Sequence, residues 1–186
     1  MKASSSMFAL ALVVPAVPFA QPGGETLTPR LPAGYHLERE ENRSDSVMKR
    51  MLPRGQNGDD WTELVTTHAF LGRTASSERF QIAMASAWLE LCRDGAVARV
   101  TQGTENGYAF SIWSQSCPLN PVTGQPESTW TKAIEGNDGF YLVQKSFRFE
   151  PSDAQVQESI AYLGSVTLCD PRLPDRPCPT APQARR

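Results

Sequence analysis

Apolar and polar residues alternate in short runs over most of this chain, and only twice does the spacing lengthen to that of a helix. Trp61 to Leu71 (WTELVTTHAFL) alternates, with Leu64, Thr66, His68 and Phe70 on one face, the pattern of a half-buried strand. Ahead of it, Tyr35–Glu41 and Val47–Pro53 flank the polar cluster Asn42–Asp45, and a turn at Gln56-Asn57-Gly58-Asp59 follows. These three segments predict an antiparallel meander. Ser76-Ser77-Glu78 then supplies a helix cap with an acid in the first turn. Phe80, Met84, Ala87, Trp88 and Leu91 recur at helical spacing as its expected buried face, and Asp94-Gly95 ends it.

Two hairpins come next. Ala96–Thr104 and Tyr108–Cys117 meet through Glu105-Asn106-Gly107, and Asn-Gly accepts the positive φ angles of a two-residue turn. After the proline-rich loop PLNPVTGQP at 118–126, Ser128–Glu135 and Phe140–Glu150 flank the turn Gly136-Asn137-Asp138-Gly139. Side-chain parity places Trp130, Ile134, Tyr141, Val143, Phe147 and Phe149 on one face of this hairpin, expected to be core. The other face carries Thr131, Glu135, Gln144 and Arg148 but also Phe140 and Leu142, so partial cover is expected there too. Ser152 with Gln155 forms a capping box for a second helix whose stripe is Val156, Ile160 and Leu163. A short strand over Val166–Cys169 closes the series. Strands in runs with segregated helices predict an α+β domain: a mainly antiparallel sheet flanked by two helices.

The ends differ from this body. Residues 1–20 carry one charge, Lys2, and an apolar run from Met7 to Val14 that is too short to span a bilayer and suits a signal peptide. Cleavage fits after Ala16 or after Ala20. Residues 21–32 are rich in Gly, Pro and Thr and predict a flexible leader, residues 33–178 a single domain, and residues 179–186 a disordered tail. Export to the periplasm or the exterior makes the four cysteines candidates for disulfides, with three possible connectivities. The Asn106-Gly107 turn makes paired residue numbers sum to 213 and sets Cys117 opposite Ala96, close to Cys92 in the last turn of the helix. That predicts Cys92–Cys117, and leaves Cys169–Cys178 to hold the tail.

Several segments resemble a group of uncharacterised exported proteobacterial proteins: GDDWTELVTTHAF at 58–70, ENGYAFSIWSQSCPLNPVTGQPE at 105–127, FYLVQKSFRFEPSD at 140–153 and CDPRLPDRPCP at 169–179. They cover nearly the whole mature chain. The element order and the run W-T-E-L-V-T before the first helix also look like the PsbP-like fold, which implies an α/β/α sandwich. Neither resemblance carries an activity or a ligand residue onto this chain.

Composition narrows the function. Eighteen Lys and Arg against twenty Asp and Glu leave a net charge of -2, without the basic excess of a nucleic-acid binder. The two histidines, His36 and His68, lack a G-x-S-x-G partner, and His68 shares its face with Leu64 and Phe70 as a packing residue would. Asp59, Asp60 and Glu63 lack the spacing of a Ca²⁺ loop and read as a turn. No cysteine pair has metal-ligand spacing, so no metal or other cofactor is expected. The stiff loop 117–127 is the most unusual segment. With Trp113, Trp130, Lys132, Lys145 and Arg148 near it in the pattern, it is the candidate binding surface. The expectation is an exported, non-enzymatic module that binds a protein partner or a cell-envelope ligand, with no nucleic acid and no membrane span after signal cleavage. The alternatives are an enzyme built on carboxylates and His68, or an accessory subunit of a membrane complex.

Overall fold

The computed structural model describes residues 24–178; the expected signal peptide at 1–20 and the expected tail at 179–186 lie outside the described residues. Seven strands form one antiparallel sheet: β2 (Tyr35–Asn42), β3 (Ser46–Pro53), β4 (Glu63–Leu71), β5 (Ala96–Glu105), β6 (Tyr108–Cys117), β7 (Glu127–Glu135) and β8 (Gly139–Phe147). Two helices, α1 (Ser77–Leu91) and α2 (Asp153–Ser165), and a small pair, β1 (Thr26–Leu27) with β9 (Leu168–Cys169), complete the chain. The sheet order is β2-β3-β4-β8-β7-β6-β5. The chain therefore builds one meander, crosses by α1 to the far edge, and returns strand by strand until β8 seats against β4. No described helix is long and apolar enough to cross a membrane.

The predicted elements are present, and the parity of the hairpin explains the layers. Trp130, Val143 and Phe147 cluster with Ile112 under Val156, Ile160 and Leu163 of α2. The neighbouring residues Ala133, Phe140 and Leu142 point the other way and meet Trp113, Phe80 and Met84 beneath α1. Each helix thus covers one face of the same central strands, an α/β/α sandwich. Both faces of β7 and β8 are buried for that reason, including the polar side chains of Thr129, Thr131 and Lys132.

Three details depart from the sequence pattern. First, the leader is not loose over its described part: Thr26 and Leu27 pair with Cys169 and Leu168, and Leu27 packs into two core clusters. Second, a bulge lies between Arg99 and Thr101, so the β5–β6 register changes and Ala96 faces Ser116 rather than Cys117. Cys117 lies one residue further along. Gly95 packs its backbone against the Ser116 carbonyl, where a Cβ would collide with backbone. Both predicted disulfides form, Cys92–Cys117 with Cα atoms 5.8 Å apart and Cys169–Cys178 with Cα atoms 4.8 Å apart.

The third departure is the rotation of α1. Ser77, Gln81 and Trp88 are its buried residues, while Ala87 and Leu91, expected inside, are exposed. Hydrogen bonds at the two ends set this rotation. At the start, the Glu135 carboxylate accepts from the Ser77 backbone N–H (2.7 Å) and hydroxyl (2.8 Å). At the end, the Trp88 indole N–H donates to the Ser116 carbonyl at 2.9 Å. Trp88 is thus both a packing residue and a tether. Trp88→Ala is expected to cost ~3–5 kcal/mol, the range for emptying a buried aromatic site. Urea unfolding measures it, and a loss below ~0.5 kcal/mol, typical of surface substitutions, would contradict this seating of α1.

Candidate interaction surface

The five residues of the expected binding surface do not form one exposed surface, although Trp130 and Lys145 face each other across β7 and β8. Trp113 is fully buried under α1, and Trp130 is buried under α2 on the opposite face. Lys132 is buried as well: its ammonium bonds Glu105 at 2.5 Å and the Val166 carbonyl at 2.7 Å, and lies over the Phe110 ring. Lys145 is sandwiched near the Tyr35 and Phe147 rings, and the Arg148 guanidinium stacks on Trp61 at 4.0 Å. All five serve packing. A central strand needs aromatic residues on both faces, and strand periodicity alone does not show which faces are covered.

The proline-rich loop itself has the opposite character. Residues 118–126 contain no charged side chain. Leu119 and Val122 are 65% and 76% exposed, the two most open large apolar side chains described. The loop is held by Asn120, itself buried. The Asn120 side chain accepts from the Val122 N–H (2.9 Å) and donates to Glu127 (2.7 Å). Its backbone bonds Gln125 (2.9 Å) and Gly124 (2.7 Å). One buried amide therefore fixes two exposed apolar side chains in place, an arrangement that lowers the entropy lost on binding.

More apolar surface adjoins this loop. The Cys92–Cys117 bridge joins its base to the last turn of α1, where Leu89 and Leu91 are exposed. Glu78 of α1 reaches Arg99 on β5 at 3.4 Å, so the stripe Glu78, Ile82, Ala85, Leu89 runs along the β5 side of the helix. Ile82 is 57% exposed, and Val100 at the bulge is open too. Six of the eight large exposed apolar residues described thus belong to α1, β5 and this loop. Three arginines (Arg79, Arg93, Arg99) and four acids (Glu78, Glu90, Asp94, Glu105) lie in the same elements or the turn between them, and Glu105 is paired with the buried Lys132, so the surroundings are near neutral with no basic excess. The other sheet edge contrasts with this. Strand β2 carries Glu38, Arg39, Glu40 and Glu41, the charged blunting that discourages association.

The catalytic candidates stay apart. His68 lines a depression of about 430 Å³ with Arg43, Met48, Phe70 and Arg73, and its ring stacks on Phe70 at 4.1 Å. Asp59 and Asp60 donate their backbone N–H groups to the Asn57 side chain in a turn, and Glu63 accepts from Tyr35 and Gln155 instead. One acidic cluster was not legible in the sequence: Glu25, Asp138 and Asp170 bring carboxylate oxygens within 4.8 Å of one another. The Arg172 guanidinium lies among them, bonding Asp170 and Asp138. It holds the Asp170 carboxyl below the usual carboxylate range.

Comparison with protein-family models finds no match, and comparison with curated proteins finds none. Among solved structures, LpqN of Mycobacterium tuberculosis, described as involved in cell envelope biogenesis, is 9% identical, with 81% of this chain and 87% of that one covered and a TM-score of 0.42. A protein of Bacteroides thetaiotaomicron is 14% identical over 81% of this chain, with a TM-score of 0.40. This chain spans about half its length, 49%. The likenesses are distant.

Two outcomes follow from the site. Asn120→Ala removes the clamp of the loop and is expected to cost ~1–3 kcal/mol, as for any buried polar group left without partners. Leu119→Ser with Val122→Ser should stay within ~0.5 kcal/mol of the parent. Thermal unfolding of the two variants compares them directly, and equal effects would contradict the division between clamp and display. His68 is held below its ordinary value of 6.5, first by burial and then by Arg43, with Glu41 opposing. The unfolded chain therefore takes up more protons as pH falls through that value. The stability contributed by neutral His68 is complete above it and declines below it. His68→Gln should flatten the fall in stability between about pH 7.5 and about pH 5.5, the range in which histidine changes charge. Unfolding at the two pH values gives the slope, and an unchanged slope would mean that His68 makes no contribution.

Proposed function

We propose that this protein is an exported, non-enzymatic module that docks on a protein partner through loop 118–126 and the adjoining outer face of α1. One observation carries the reading: a charge-free loop, clamped by the buried side chain of Asn120, holds Leu119 and Val122 out in solvent. Exposed apolar groups on a mobile loop would lose much of their binding energy to ordering. On this loop the ordering is already complete in the free protein. The two disulfides support an oxidising compartment, in line with the apolar N-terminal run.

The neutral surroundings favour a protein over a membrane surface. Peripheral helices that bind anionic lipid carry an excess of Lys and Arg beside the apolar face. Here the arginines do not outnumber the acids, which suits an interface with an apolar centre and a mixed polar rim. The scattered positions of His68, Asp59, Asp60 and Glu63 disfavour the enzyme alternative, which needs them to converge.

Site-specific photocrosslinking tests the reading. A photoreactive side chain at position 122 or 89 is expected to give one discrete adduct in periplasmic extract, lost when Leu119→Asp is added. The same probe at position 40, on the charged edge, should give none. An adduct insensitive to Leu119→Asp, or equal labelling from position 40, would remove the proposal. Binding of the variant to anionic vesicles in place of a protein adduct would assign the surface to a membrane instead.

A further inference from the structure

The two disulfides differ in setting. Cys92 and Cys117 are both buried, beneath Trp88 and Val97. Cys169 is buried, but Cys178 is partly open to solvent at the end of a short surface loop. That loop, 170–178, is arranged around its own charges. Arg172 bonds Asp170 (2.9 Å at Nε) and also Asp138 at the tip of the β7–β8 hairpin. Arg176 stacks on the Tyr108 ring at 4.4 Å, and its carbonyl accepts from the Asp170 N–H at 2.9 Å.

The leader is tied to the same place. Glu25 is buried, and its carboxylate accepts from the Asn137 N–H (2.7 Å), the Asp138 N–H (2.9 Å) and the Tyr141 hydroxyl (3.2 Å). The Arg172 guanidinium packs directly over Gly24, in space that a Cβ would need. Beyond it, β1 pairs with β9, Thr28 bonds Thr167, and the Arg30 carbonyl accepts from Tyr162. Leader and tail loop are therefore one strap across the sheet, and a groove of about 310 Å³ lies along it. Leu27 and Leu31 of the leader form one wall, and Leu37, Val47, Met51 and Ala69 of the sheet form the floor.

We infer that the strap is a redox-latched device: Cys169–Cys178 is its latch, and reducing this one bond frees the leader from the sheet while the rest of the fold stays closed. The chemistry is thiol exchange with a dithiol reductant. Its thiolate attacks the sulfur of the partly exposed Cys178, the S–S bond breaks, and Cys169 leaves as a thiolate that takes up a proton. The second thiol of the reductant then attacks the mixed disulfide and releases Cys178, so the protein gains two electrons and two protons and the reductant becomes a disulfide. Without the latch, loop 170–178 regains its chain freedom. Arg172 and Arg176 are then no longer held over Asp138, Gly24 and Tyr108. The Cys92–Cys117 bridge, shielded on both sides, keeps α1 and the docking surface in place.

The mature protein itself provides the test. It is reduced with graded dithiothreitol, its free thiols are alkylated, and the species are mapped by mass spectrometry with amide hydrogen exchange. Cys169 and Cys178 should be alkylated before Cys92 and Cys117. In that half-reduced species, exchange over 26–31 should rise roughly tenfold or more, with β4 and β8 unchanged, the signature of a sub-global opening. Unchanged exchange over 26–31, or loss of both disulfides together with global unfolding, would overturn the inference. Arg172→Gln with both disulfides intact is the companion variant. It should give a smaller rise in the same residues, and no rise would remove Arg172 from the latch.

Discussion

The nine-residue pairing of β4 with β8, from Glu63–Phe147 to Leu71–Gly139, is the constraint on which the fold turns. It is the only neighbouring pair in the large sheet that is not consecutive in the chain. Between its two strands, α1 carries the chain to the far edge of the sheet and β5, β6 and β7 return. Everything between residues 72 and 138 is a closed excursion from that seam. The helices follow from it. A seam in the middle of a seven-stranded sheet leaves two apolar faces, and Leu142 and Val143, adjacent in sequence, each require a separate cover. α1 supplies one and α2 the other.

Polar contacts then fix what apolar burial leaves free. Hydrophobic packing is non-directional and would tolerate several rotations of α1 over its face. The Ser77–Glu135 and Trp88–Ser116 bonds select one. On the opposite face the buried ammonium of Lys132 joins Glu105 of β5 to the carbonyl of Val166 just past α2, linking sheet edge to helix end. Glu25 does the same for the leader, with three donors converging on its carboxylate. Each of these groups is costly to bury alone and acceptable when paired.

The selection of one rotation also determines the outer surface. Because α1 buries Ser77, Gln81 and Trp88, it leaves Ile82, Leu89 and Leu91 exposed, and its last turn is tied to the base of the loop that displays Leu119 and Val122. The Cys92–Cys117 bridge locks helix and loop to each other. The proposed docking surface is thus a by-product of the packing beneath it, held in register by one disulfide and one buried asparagine. At the other end of the molecule the second disulfide holds the strap. The two bridges serve separate parts of the structure.

Local chemistry determined most of the elements. Alternation placed the strands, Asn106-Gly107 and Gly136–Gly139 the turns, and Ser76 and Ser152 the helix caps; the hairpin brought Cys117 near Cys92, although the bulge moves its register by one residue. Those features depend on residues within a turn or two of each other, so the sequence carries them directly. Only the tertiary structure decided which surfaces are covered. Trp113, Trp130 and Lys132 read as a binding surface in the sequence and are interior, whereas Leu91 reads as interior and is outside. Glu25, in a leader without periodicity, gave no sign of its role, because its three donors lie more than a hundred residues away. Burial is a property of what packs above a residue. For a strand covered on both sides, or a helix rotated by a hydrogen bond to a distant strand, that neighbour is absent from the local pattern.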